Sequence, residues 1–293
     1  MSYLYYPGCS LKSTGVGYEE SILNVFQALD IPFPEVDDWN CCGATAYMAV
    51  DELKAYALAS RNLALAEKMK PEEEETIDVI APCAACFLVL YKTEQFLNKG
   101  NGKSEQIHDA LKEAGLSYTG KARVRHPLDV LVNDIGLDRI KEKAVKPLKG
   151  LKVASYYGCQ ILRPYAPFDN MDNPRTMDDI MVALGAEAVD WPLKTRCCGA
   201  SLAGTVEDVG RRLSYIIVKE AEKRGADVLV TACPLCQHNL ECYQDRMRKE
   251  YKDDINFPVA YFSQLMGMAF GIEQDKLGLQ RLFIPFEPAL AAE

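Results

Sequence analysis

Ten of the eleven cysteines stand in two copies of one pattern: Cys9, Cys41-Cys42-Gly43 and Cys83-x-x-Cys86, then Cys159, Cys197-Cys198-Gly199 and Cys233-x-x-Cys236. The lone cysteines and both members of the Cys-x-x-Cys pairs repeat at an offset of 150 residues, the adjacent pairs at 156. Thiolates so spaced are metal ligands, and two sets imply two metal sites. A structural zinc ion takes four ligands and a cubane iron–sulfur cluster four cysteines, so five is one too many for either. Neighbouring side chains in extended backbone point apart. Cys41-Cys42 and Cys197-Cys198 can therefore address one site only through a tight turn, which Gly43 and Gly199 permit. Spacing leaves two readings open: a four-cysteine zinc or cubane site with a spare thiol, or a cluster that uses the fifth ligand through more than one kind of iron position or a thiolate bridging two irons. Cys242 has Lys92 at the corresponding place in the first half and reads as an ordinary helical cysteine.

The elements that must position these ligands also repeat. Each half opens with an apolar, aromatic run ending in Gly-Cys, Leu4-Tyr5-Tyr6-Pro7-Gly8-Cys9 and Val153-Ala154-Ser155-Tyr156-Tyr157-Gly158-Cys159, which predicts a buried strand and a loop. Helices are expected over 19–29 and 176–184, each followed by a second strand, and amphipathic helices over 50–69 and 206–224. Strands over 77–81 and 228–231 run into the Cys-x-x-Cys pairs, which open further helices, and 124–137 and 259–272 are equivalent closing segments. This alternation predicts an α/β chain of two related halves, each a mostly parallel sheet flanked by helices, with sites at the strand C-terminal ends. The expected organisation is a first module over 1–140, a Lys-rich linker over 141–152 and a second module over 153–293. The acidic run 72–75 reads as a solvated loop.

With 293 residues, 48% hydrophobic and 26% charged, the chain can bury a core in each half. A net charge of −9 argues against a general nucleic-acid surface. No apolar run suits a membrane span and the N-terminus has no basic segment, so a cytoplasmic protein without direct membrane insertion is expected. A reducing compartment favours metal over disulfide. No G-x-G-x-x-G follows a strand, so no flavin or nucleotide is expected on this chain.

The Cys, Cys-Cys-Gly, Cys-x-x-Cys module resembles the cysteine-rich CCG domain. The duplicated form, over nearly the whole chain, resembles the B-type subunits of the heterodisulfide reductases of methanogenic archaea. Tyr6-Pro7-Gly8-Cys9, Tyr157-Gly158-Cys159-Gln160, Arg196-Cys197-Cys198-Gly199 and Lys146-Pro147-Leu148-Lys149-Gly150 carry the likeness. The resemblance implies two noncubane [4Fe-4S] clusters, one on Cys9, Cys41, Cys42, Cys83 and Cys86, the other on Cys159, Cys197, Cys198, Cys233 and Cys236. It also implies reduction of the coenzyme M–coenzyme B heterodisulfide, the thiol-recycling step of methane formation. Electrons would come from a small cubane-cluster subunit of the C type, fed by a flavin-containing subunit of the A type that bifurcates electrons from a hydrogenase or formate dehydrogenase.

Disulfide cleavage needs two electrons, and a cluster delivers one at a time. Two clusters facing one pocket would each take one sulfur, so that no free thiyl radical forms. The substrate bears a sulfonate on one side and carboxylate and phosphate on the other, so the pocket needs cations. Lys12, Arg163, Lys194, Arg196 and His238 are the candidates beside ligands, Arg being suited to paired anion contacts; His238 could instead hydrogen-bond a cluster sulfur. His126 and His108 read as structural or exposed, and the aromatic runs before Cys9 and Cys159 as strand core. Competing readings are a related CCG oxidoreductase acting on another disulfide or a quinone, and a non-catalytic iron–sulfur or zinc scaffold.

Overall fold

Two short parallel sheets organise the chain, one in each of two compact units. The computed structural model describes residues 3–44, 46–70, 75–100 and 102–288. The first unit takes the chain up to residue 13 and 32–127; the second takes 14–31 and everything from 128 on. Most of the acidic run 72–75 lies outside the described residues.

In chain order the first unit contributes β1 (Tyr3–Tyr5) and a single turn, α1 (Gly8–Leu11). Helix α2 (Val16–Ala28) follows and belongs to the second unit. The first unit resumes with α3 (Ala46–Val50), α4 (Glu52–Lys68), β2 (Ile77–Ile80), α5 (Ala84–Asn98), α6 (Gly102–Glu113) and β3 (Ala122–Arg125), and the turn α7 (Pro127–Asp129) leads into the second. Its sheet runs β1-β2-β3, all parallel, with Tyr3 opposite Asp78 and Ile77 opposite Ala122. Leu4, Tyr5, Val79, Ile80 and Val124 are buried, the near-continuous apolar pattern of parallel strands covered on both faces.

The second unit continues through a π-helical stretch at Val130–Ile135, α8 (Leu137–Lys143), β4 (Lys152–Tyr156), α9 (Thr176–Ala183) and β5 (Glu187–Ala188). Then come α10 (Leu202–Thr205), α11 (Glu207–Lys223), β6 (Val228–Thr231), α12 (Pro234–Glu241), α13 (Gln244–Tyr251), β7 (Val259–Tyr261) and α14 (Phe262–Ala269). The sheet order is β5-β4-β6-β7, again all parallel. The predicted α/β class of two related halves with parallel sheets is the observed fold.

Two predicted elements differ in detail. The helix expected over 50–69 is broken at Asp51, whose extended backbone and carboxylate accepting from the Lys54 amide at 3.2 Å make it an N-cap for α4. The second strand forms in the second unit as β5, whereas the first unit has only a bridge between Tyr5 and Glu35. Pro32 and Pro34 explain the difference. The Pro34 carbonyl accepts from the Tyr5 amide and the Val36 amide donates to the Tyr5 carbonyl, but a proline has no N–H to extend the ladder.

Helix α2 is built into the second unit through α14. Tyr18 stacks on Tyr261 with ring centroids 4.5 Å apart, and the hydroxyls of Ser21 and Ser263 meet at 2.6 Å. Asn24 donates to the Lys276 carbonyl, and Arg281 pairs with Glu20 at 2.7 Å. The Lys-rich segment 141–152 is anchored, with the Lys146 amide donating to Ala269, the Leu148 amide to Leu184, and Leu148 fully buried. Among the described residues no helix is long and apolar enough to cross a membrane.

Candidate metal centres

The lone cysteine and the Cys-x-x-Cys pair of each module follow strand ends. Cys9 lies in α1, shortly after β1, and Cys83 and Cys233 are the N-cap residues of α5 and α12, so the second cysteine of each pair, Cys86 and Cys236, falls in the first helical turn. Gly43 and Gly199 turn the adjacent pairs back with φ of +79° and +96°, in the left-handed region. Gly8 and Gly158 also have positive φ, for a different reason. A Cβ at Gly8 would stand 2.7 Å from the Cys86 sulfur, and one at Gly158 3.3 Å from the Cys236 sulfur, so bare backbone lies against a thiol.

In the first unit the five sulfurs form a string. Cys9 and Cys41 are 3.8 Å apart and Cys42 and Cys86 3.3 Å, while Cys41 hydrogen-bonds Cys42 and Cys83 hydrogen-bonds Cys86. In the second unit the sulfurs fall in two groups: Cys159 hydrogen-bonds Cys197, while Cys198 lies 3.5 Å from Cys236, which hydrogen-bonds Cys233. Among the described residues no three His, Cys, Asp or Glu side chains converge on a single-ion position. Exposure is graded similarly in both sets. Cys42, Cys83, Cys86, Cys198, Cys233 and Cys236 are buried, whereas Cys9, Cys41 and Cys197 are exposed and Cys159 is half-buried.

So many thiols at contact distance cannot ionise together. Hydrogen bonds from Cys41 and Cys86 hold Cys42 down to about 4, and Cys159 holds Cys197 down to about 6. Hydrogen bonding to Cys42 and burial push Cys86 up, and Cys198 and burial do the same to Cys236. Nearby lysines relieve none of this: Lys12 pairs with Glu35 at 2.7 Å and Lys194 with Asp178 at 2.8 Å. A polycationic group with sulfur-loving metals fits such a donor set, and an iron–sulfur cluster is the group of that kind held by several thiolates.

The predicted cations have separate fates. Lys194 is buried, its ammonium bound to Asp178, which also accepts from the Tyr157 hydroxyl at 2.6 Å, while its carbonyl accepts from the amides of Tyr157 and Gly158. It therefore braces the loop that carries Cys159. Arg163 binds the carbonyls of Thr195 and Met171 and the carboxylate of Asp172. Arg196 is exposed beside the exposed Cys197. His238 lies edge-on to Tyr243 with centroids 5.7 Å apart, and burial lowers its pKa. His126 is buried, with Nε2 3.1 Å from the carbonyl of Pro82, next to Cys83.

Several contributors escaped sequence reasoning. Asn239 donates to the Cys198 sulfur at 3.6 Å and to the Ala200 carbonyl at 2.9 Å, and the Gly199 amide donates to the Cys197 sulfur at 3.4 Å. Tyr6 donates to the Asn40 carbonyl at 2.7 Å and Tyr156 to the Arg196 carbonyl at 2.5 Å, both at the residue before the adjacent cysteines. Their place three residues before Cys9 and Cys159 was the available signal; it read as strand core.

The family profile described as the cysteine-rich domain, CCG, matches residues 3–91 and 153–241. The membrane anchor subunit of 8-methylmenaquinol:fumarate reductase of Wolinella succinogenes is 35% identical over 279 residues, 94% of this chain and 95% of its own. The B-type subunit of the ferredoxin:CoB-CoM heterodisulfide reductase of Methanosarcina mazei is 30% identical over 284 residues, 94% of this chain and 91% of its own. A crystal structure of a hypothetical protein from Helicobacter pylori matches with a TM-score of 0.74 at 14% identity. That match covers 98% of this chain but 53% of the other, about half its length, and the likeness concerns the fold.

Proposed function

Because the chain belongs to the cysteine-rich CCG domain family and carries the module twice, we propose that it is the redox subunit of a multisubunit oxidoreductase that reduces the coenzyme M–coenzyme B heterodisulfide to its two thiols. The observation that carries this reading is the repeated gathering of five sulfurs, buried at the Cys-x-x-Cys end and open at Cys9 and Cys41 in one module and at Cys197 in the other. Each set of five would hold one noncubane [4Fe-4S] cluster. When bound, each cluster supplies one electron, so the pair supplies the two that, with two protons, turn a disulfide into two thiols.

The residues of the chain divide the remaining work. The Cys-x-x-Cys cysteines and Cys42 or Cys198 anchor the buried side, where apolar walls exclude water. Arg196, exposed beside the open edge of the second module, offers a planar fork to a sulfonate or phosphate. Lys194, committed to Asp178, positions backbone and does not meet the substrate. Electrons arrive from an iron–sulfur partner subunit of the C type and a flavin subunit of the A type, in the cytoplasm.

A second reading draws on the Wolinella relative, which is the more similar of the two at 35% identity against 30%. On that reading the same two centres pass electrons between a quinol and a partner enzyme. One experiment separates them. The complex isolated with this chain is assayed for reduction of coenzyme M–coenzyme B disulfide, of simple disulfides, and for oxidation of a menaquinol analogue. Turnover confined to the heterodisulfide, with Arg196→Ala raising its KM about tenfold as the loss of a charge-assisted pair requires, supports the first reading. Quinol oxidation without disulfide reduction rejects it in favour of the second.

A further inference from the structure

We infer that Tyr6 and Tyr156 are paired positioning residues, each setting the depth of its adjacent-cysteine turn against the metal centre through a single hydroxyl. The observation is a contact made twice. Tyr6 directly follows β1 and Tyr156 ends β4, the first strand of each module. Both are fully buried, and each donates to the carbonyl of the residue before the adjacent cysteines, Asn40 at 2.7 Å and Arg196 at 2.5 Å. Apolar packing alone explains neither hydroxyl, because a phenylalanine would fill the same space without burying an O–H.

The surroundings make the contact specific to the centre. Each hydroxyl lies within electrostatic reach of its module's thiols, Cys86, Cys42, Cys41 and Cys9 for Tyr6, and Cys236, Cys198, Cys159 and Cys197 for Tyr156. The ring of Tyr6 comes within 3.4 Å, and that of Tyr156 within 3.7 Å, of where a Cβ on Gly8 or Gly158 would stand. One side chain therefore touches the loop of the lone cysteine, ties down the start of the Cys-Cys turn and faces the sulfurs. Cys41 and Cys197 are the exposed ends of these turns, so the backbone to which they are attached sets where their sulfurs stand. Loss of the hydroxyl takes the tyrosine donor from that carbonyl and releases that end.

The inference rests on the iron–sulfur reading, and the test keeps the two apart. In full-length protein with Cys233→Ser and Cys236→Ser, only the first module can hold iron; Tyr6→Phe and Tyr156→Phe are then compared in that background. Tyr6→Phe should speed iron loss to a chelator about fivefold, the worth of one hydrogen bond, and shift the iron–thiolate stretching bands in the resonance Raman spectrum, while Tyr156→Phe changes neither. The reciprocal background, Cys83→Ser with Cys86→Ser, should reverse the result. Equal effects of the two variants, or none from either, overturn the inference. A parent protein without iron and sulfide overturns the cluster reading itself.

Discussion

At the scale of single residues, the duplication shows what each side chain is for. Glu94, eight residues beyond Cys86, accepts from the Val124 amide at 2.8 Å, and Gln244, eight beyond Cys236, accepts from Phe257 at 2.8 Å. Both tie a ligand-bearing helix or its continuation to the last strand of the sheet or the residues leading into it, one with a carboxyl and the other with an amide. Burial pushes Glu94 up to about 7 from an ordinary carboxyl value of 4.5. The folded protein then keeps a proton that the unfolded chain releases, so stability is full below about pH 4.5 and falls as pH rises toward 7. The limit is about 3 kcal/mol at 1.4 kcal/mol per unit. Glu94→Gln, which copies the second module, should match the parent in urea at pH 4.5 and exceed it by about 1–3 kcal/mol at pH 8. Equal midpoints at pH 8 would sink the argument. Part of the slope should survive, because burial raises Glu241 to about 7 as well. The thiols could be grouped from sequence because their type and order repeat. Lys194 could not be sorted from Arg196, since its partner Asp178 is brought near only by folding.

At the scale of elements, strands and helices were legible where periodicity is strong, and β6 occupies the predicted residues. The missing strand of the first unit was not foreseen, because an acidic-apolar run says nothing of how many amides remain to pair once two prolines intervene. Asn239 was passed over for His238 for a related reason: adjacent residues on a helix point about 100° apart, and only the packed helix shows which faces sulfur. The turns after the adjacent cysteines look alike in sequence and differ in crowding. A Cβ on Gly199 would meet the Gly210 backbone at 2.8 Å, whereas one on Gly43 has its nearest neighbour at 3.6 Å. Gly43→Ala should therefore cost only the left-handed backbone, about 1–2 kcal/mol. Gly199→Ala should cost more, through displacement of α11, with a larger drop in melting temperature and in bound iron. Equal losses in the two variants would show that crowding plays no part.

At the scale of the whole molecule, two sheets with two complete sets of five cysteines predict about eight irons and eight sulfides per chain, as two four-iron clusters require. Replacing Cys83 and Cys86 with serine should leave about four of each; zinc in the parent, or loss of all iron from that variant, contradicts independent centres. Helix α2 has a separate consequence, for synthesis. Its partners Tyr261, Ser263, Lys276 and Arg281 lie more than two hundred residues further along the chain. Domains on the ribosome settle from the N-terminus onward, yet residues 14–31 leave the exit tunnel long before their seat exists. The first sheet can assemble around that stretch as an open loop, but the loop stays unclaimed until residues 261–281 have been made, and the apolar side chains Tyr18, Ile22 and Phe26, buried in the folded protein, are exposed in the meantime.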